Sequence, residues 1–161
     1  VARLPLDGKL AWLRQAGVSD EQLARFHRTE VTALWRQVKQ SAAAEVGRAA
    51  DEGGAAAAVA RYRELVAGSD PDLFFDEVEF NLLGYRLLGE SRVDDAIAVF
   101  ELNVERYPGS WNVYDSLGEA CAVKGDRDRA IELYRSSLEL NPDNTNGVQA
   151  LERLGAGVTG D

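Results

Sequence analysis

The sequence predicts an all-α fold, an array of antiparallel helix pairs, and three observations lead there. Positions 34 residues apart match along the second half of the chain: Leu83 with Leu117, Gly84 with Gly118, Ala96 with Ala130, Phe100 with Tyr134, and Pro108 with Pro142. Within each unit the core positions recur at i, i+3, i+4 and i+7. Phe80, Leu83, Gly84 and Leu87 do so, as do Tyr114, Leu117, Gly118 and Cys121, and that spacing is one stripe of a helix. The composition agrees, being rich in alanine, with 4 prolines, no methionine and no runs dense in Val, Ile and Thr, so local preference favours helix almost throughout. A chain of 161 residues can bury a core as one domain without disulfides or metals.

From the N-terminus, Asp7 to Ala16 reads as a short helix stopped by Gly17. Ser19 and Gln22 make a capping box for a second helix beginning near Asp20, with Leu23, Phe26, Leu34, Trp35 and Val38 on its apolar face. Residues 1–50 are therefore assigned to N-terminal helices that pack on the first unit or on a second chain. Residues 51–76 hold one helix of a degenerate earlier unit, at 55–67, with Ala58 and Tyr62 at the alanine and aromatic places; the loop SDPDLFFDE follows. Two full units span 77–110 and 111–144. A capping helix at 145–154 turns Val148, Leu151 and Leu154 inward and Gln149, Glu152 and Arg153 outward, and 155–161 reads as a disordered tail.

Each repeated position has a physical reason. A glycine in the first helix of a pair, with a small alanine opposite, lets the two helices approach closely, and the aromatic fills the space between neighbouring units. Proline ends the second helix. Gly125 suits the tight turn inside the second unit, where the first unit has Ser91. Asn103 and Ser137 stand late in the second helices, where looser packing or a hydrogen bond is expected. The solvent-facing places vary instead, with Asp95 against Arg129 and Glu101 against Arg135.

These residues resemble the tetratricopeptide-repeat (TPR) family, whose pattern is W-x2-L-G-x2-Y, then A-x3-F, then P. Phe80 and Tyr114 replace its tryptophan, and Leu87 and Cys121 its tyrosine. The resemblance implies a right-handed superhelix and a scaffold that binds protein, with no catalysis and no cofactor. In the family, a concave groove is lined by the second, fifth, ninth and twelfth positions of each unit. Carried over, these are Val78, Asn81, Tyr85 and Leu88, then Asn112, Asp115, Glu119 and Ala122. The groove would accept an extended or helical segment, with apolar anchors on Val78, Tyr85 and Leu88 and a basic or amide group on Asp115 and Glu119. Those carboxylates stand where a clamp for a partner's terminal carboxylate would need cations. The alternatives are a face that is simply solvated, or one filled by the chain's own N-terminal helices. Residues 55–154 also resemble the TPR tails that follow serine-hydrolase and other catalytic domains in bacterial proteins. An accessory or self-association domain of a larger enzyme, using Trp12, Trp35 and the N-terminal helices, is thus the competing expectation.

The formal charge of −9, from 27 acidic and 18 basic residues, sets the chain's field against phosphate backbones and anionic membranes, so neither nucleic acid nor membrane is expected as a partner. Val1 to Gln15 lacks the apolar run of a signal peptide, and with Cys121 the only cysteine a reducing, cytoplasmic setting is expected. Cys121 takes a core place, where a thiol acts as a small hydrophobe. His27 is the only histidine and has no metal-ligand or triad pattern around it. The acids Asp70, Asp72, Asp76, Glu77 and Glu79 lack calcium-loop spacing and read as helix-capping groups. Gly155, Gly157 and Gly160 spell G-x-G-x-x-G, but a dinucleotide site needs a strand before it and a helix after it.

Overall fold

The computed structural model describes residues 10, 13, 19–23, 40–68, 70 and 73–157. The chain divides into two compact units, one of Val1–Ser41 with Asp70–Phe74 and one of Ala42–Ser69 with Phe75–Asp161. In the smaller unit, helix α1 (Asp20–Leu23) starts where the capping box places it, and the Leu23 amide donates to the Ser19 carbonyl at 2.9 Å. Strands β1 (Gln40–Ser41) and β2 (Leu73–Phe74) form a two-residue parallel pair, Gln40 opposite Leu73 and Ser41 opposite Phe74. The sequence reading had no strand here. The remainder of the expected N-terminal helices, with Trp12, His27 and Trp35, lies outside the described residues.

The larger unit is all α: α2 (Ala42–Gly68), α3 (Glu77–Gly89), α4 (Val93–Arg106), α5 (Trp111–Lys124), α6 (Arg127–Leu140) and α7 (Thr145–Arg153). Helix α2 is two helices in one. Gly54 sits at φ 69° and ψ −160°, outside helical space, and there the chain folds back. Arg61 pairs with Glu45 at 3.0 Å although they are sixteen residues apart, which a straight helix would hold about 24 Å apart. Residues 42–53 are thus the first helix of a pair whose second helix the sequence reading places at 55–67. Ala43, Val46, Gly47 and Ala50 are all buried and stand 37 residues before Phe80, Leu83, Gly84 and Leu87. Sequence reasoning assigned most of this stretch to N-terminal helices because alanines replace the large apolar residues that mark the later units.

The core follows the repeat. Phe80, Leu87, Phe100, Ala96, Ala130 and Cys121 are at most 1% exposed. Each buried phenylalanine contributes about 1.5–3 kcal/mol of transfer free energy. Gly84 packs so closely that an added Cβ would lie 2.4 Å from Phe100 Cε1; at Gly118 the same atom would be 3.3 Å from Tyr134 Cε1. Between pairs, the Tyr62 ring stands edge-on to Phe75 at 5.7 Å and to Phe80 at 5.8 Å.

The turns inside the two full pairs share one geometry. After α3, the Ser91 amide donates to the Leu88 carbonyl and the Arg92 amide to Leu87; after α5, Gly125 donates to Ala122 and Asp126 to Cys121. Both turning residues are left-handed, Gly125 at φ 88° and Ser91 at φ 61°.

Candidate peptide groove

Helices α3 and α5 supply the expected groove positions. Val78 is 44% exposed, while Asn81, Tyr85, Leu88, Asn112, Glu119 and Ala122 are half-buried. Asp115 is 7% exposed, so it does not present an open carboxylate. The structure brings Tyr85 and Glu119 together across the two units: the tyrosine hydroxyl donates to Glu119 Oε2 at 2.8 Å and lies 3.3 Å from Ser116 Oγ. Burial, above all, pushes the Tyr85 phenol up to about 12, and the charge of Glu119 adds to it. Burial pushes Tyr134 up as well, with the Asp115 and Glu119 charges acting in the same direction.

Asp115 is committed inside the chain. Its Oδ1 accepts from the Asn144 amide at 2.7 Å and its Oδ2 from the Asn146 amide at 2.8 Å. Asn144 also donates to Ser137 Oγ at 2.9 Å and, as the N-cap of α7, accepts from the Gly147 amide at 3.2 Å. The amide group expected from a partner is thus supplied to this carboxylate by the chain's own capping helix. Ser137 forms the hydrogen bond expected at its position, and Asn103 does likewise, donating to the Glu77 carbonyl at 3.0 Å.

The same four places serve the preceding junction with different chemistry. Asn81, Asn103, Ser110 and Asn112 stand 34 residues before Asp115, Ser137, Asn144 and Asn146. There Glu77 Oε1 accepts from Ser110 Oγ at 2.8 Å and is approached by the Asn112 amide at 3.5 Å, and Asn81 Oδ1 is left without a hydrogen-bond partner. Sequence reasoning missed Glu77, Ser110, Asn144 and Asn146, although the 34-residue offset would have aligned all but Glu77 with their counterparts.

Charge also separates Glu119 from its neighbours. Asp51, Asp94, Asp95, Glu101 and Glu105 each hold an arginine or lysine. Among the described residues no cation lies within ion-pair distance of Asp115 or Glu119. Asp115 spends its charge on two amides, whereas Glu119 is oriented by one tyrosine.

The other sequence candidates fall elsewhere. Cys121 is fully buried, and burial pushes its thiol up, which keeps it protonated in the core. Asp76 caps α3, its Oδ1 accepting from the Val78 and Glu79 amides at 3.0 and 3.2 Å. Asp72 lies outside the described residues. Gly155, at φ 67°, ends α7, with the Ala156 amide returning to the Leu151 carbonyl at 2.9 Å, so this glycine is a helix stop. No helix of the described residues is long and apolar enough to cross a membrane.

A family model described as the tetratricopeptide repeat matches residues 111–144, the pair α5 and α6. That pair is a tetratricopeptide repeat. The chain is similar to the tetratricopeptide repeat domain-containing protein PYG7, chloroplastic, of Arabidopsis thaliana, with 31% identity over 77 residues. That alignment covers 48% of this chain and 25% of the relative, so the chain spans about a quarter of that protein's length. The matched repeat and this similarity support a general role as a scaffold for protein–protein interaction.

Proposed function

We propose that the chain is a non-catalytic adaptor that holds a peptide or helical segment of another protein in the groove of α3 and α5. Val78, Tyr85 and Leu88 offer apolar contact, Asn81 and Asn112 offer amides, Ala122 leaves room, and Glu119 receives a lysine or arginine of the partner. The observation that carries this reading is Glu119 itself, a half-buried carboxylate oriented by Tyr85 and without a cation among the described residues. Asp115 has a different part, holding the capping helix behind the groove.

The test is a pull-down from the native cell with wild type, Glu119→Lys and Val78→Asp as baits, scored by quantitative mass spectrometry. Both variants leave the packed residues in place, so unchanged circular dichroism is expected, with at least tenfold less of the partner retained. Asp115→Lys serves as a contrast and should lower the melting temperature, because it removes two charge-assisted hydrogen bonds. Equal partner recovery by wild type and both groove variants rejects the assignment.

A second reading, an accessory domain of a longer protein such as a bacterial serine hydrolase, rests on the resemblance of residues 55–154 to the repeat tails of such proteins. Reading the gene on both sides of this segment tests it. A catalytic domain in the same frame would support it, and flanking stop codons would reject it.

A further inference from the structure

Helix α7 repeats the placement of α5. It buries Gly147, Ala150 and Leu151, which stand 34 residues after Val113, Ser116 and Leu117, and α5 buries those three, so the two helices turn the same face inward. Their ends also correspond. The start of α7 reaches Asp115 of α5 through Asn144 and Asn146, and at its end the Leu154 carbonyl accepts from Arg127 Nε at 2.9 Å, just past the Gly125 cap of α5. Helix α7 therefore runs beside α5 in the same direction, and Arg153 takes the place in it that Glu119 takes in α5 and Tyr85 in α3.

That place looks across to the neighbouring first helix, as the 2.8 Å hydrogen bond from Tyr85 to Glu119 shows. Arg153 is exposed, and among the described residues no carboxylate lies within ion-pair distance of it. Its charge is felt at the Tyr134 phenol together with those of Asp115 and Glu119, which puts the three groups in one neighbourhood. A glutamate and an arginine so placed would ordinarily close on one another. Here Glu119 is turned the other way, its Oε2 held by the Tyr85 hydroxyl on the α3 side, and Arg153 stays open on the α7 side.

We propose that Arg153 is a further residue of the groove, the receiver of an acidic side chain of the partner, and that Tyr85 is a positioning residue that keeps Glu119 apart from it. This rests on the groove reading above and narrows the partner to a segment carrying a lysine or arginine for Glu119 and an aspartate or glutamate for Arg153. A guanidinium suits that acid, because its fork of donors matches both oxygens of a carboxylate. Packed helices lie about 8–10 Å apart, a gap spanned by about three residues of an extended segment or about six of a helical one. Opposite charges at that separation also fix the segment's direction, since a reversed segment would bring like charges together.

The probe is a short peptide selected on the whole wild-type chain from a random phage library. It is displayed through its C-terminus, so that no terminal carboxylate takes part, and then made as the C-terminal amide. Titration calorimetry measures it on wild type, Glu119→Lys, Arg153→Glu, Tyr85→Phe and Tyr85→Phe with Arg153→Gln, with circular dichroism confirming the helices of each. The peptide is expected to lose about tenfold or more in affinity on Arg153→Glu and to regain it there when its acidic residue is changed to lysine. A peptide with that acid replaced by alanine should bind Tyr85→Phe weakly, because Glu119 is released to Arg153, and the added Arg153→Gln should restore it. If Tyr85→Phe binds this peptide like wild type, or Arg153→Gln fails to restore it, Tyr85 has no such part. Loss on Glu119→Lys with full affinity on Arg153→Glu, or a loss on Arg153→Glu that the lysine peptide does not repair, overturns the role of Arg153 and leaves the groove reading standing. A selection that yields no peptide sensitive to Glu119→Lys overturns both.

Discussion

Replacing Ser91 with glycine should stabilise the array. The two turns inside the full pairs have the same hydrogen bonds, but one turns on Gly125 at φ 88° and the other on Ser91 at φ 61°. A left-handed backbone brings the Cβ of an L-residue against the following carbonyl, at a cost of about 1–2 kcal/mol. Glycine avoids that strain but loses about 0.5–1 kcal/mol more conformational entropy on folding. The net gain for Ser91→Gly is about 0.5–1 kcal/mol, which for a chain of this size is a rise of about 1–4 °C in melting temperature. The reciprocal change isolates the backbone effect. A Cβ added at Gly125 meets nothing within 4 Å, so Gly125→Ser introduces strain without a clash and should lower stability by about the same amount. Urea unfolding followed by far-ultraviolet circular dichroism measures both, and a shifted midpoint with an unchanged slope reports a change in stability. Ser91→Gly melting below wild type, or both variants melting with it, would refute the reasoning.

Two further outcomes follow from packing and burial. Gly84→Ala should cost about 1–3 kcal/mol in chemical denaturation, since its new Cβ would stand 2.4 Å from Phe100; Gly118→Ala, at 3.3 Å from Tyr134, should cost clearly less, and equal costs would contradict the geometry. Tyr85 titrates near 10.0 unperturbed and near 12 in the fold, so folding favours its neutral form. Its contribution is complete below pH 10 and is lost as the pH climbs towards 12. Melts across that window should show falling stability, with a shallower fall in Tyr85→Phe.

The helix pairs were legible because the repeat writes itself into spacing. Leu83, Gly84, Ala96 and Phe100 have counterparts 34 residues on, and every one of those positions is buried. The earlier pair was half legible. Ala58 and Tyr62 keep the pattern, whereas residues 42–53 present small side chains that a hydropathy stripe does not distinguish from any alanine-rich helix. At residues 155–157, where the sequence reads as a tail, the Gly155 and Gly157 carbonyls accept from Arg127 and Arg135, which lie more than twenty residues earlier. For the groove, the family pattern identified Asp115 and Glu119 as a matched pair of carboxylates, and the fold gives them different partners.

What the amino-acid order determined alone is the periodic part: which residues form each helix, which stripe turns inward, and where the glycine and proline turns fall. These depend on backbone preference and on contacts between near neighbours. Tertiary structure alone decided that Gly54 folds α2 back on itself, that Asn144 and Asn146 take both oxygens of Asp115, and that Arg127 and Arg135 tie the end of α7 to α6. The physical reason is directional. Burying an apolar stripe requires only a face, whereas a hydrogen bond requires a donor and an acceptor placed within about 3 Å, and only the packed helices set that distance.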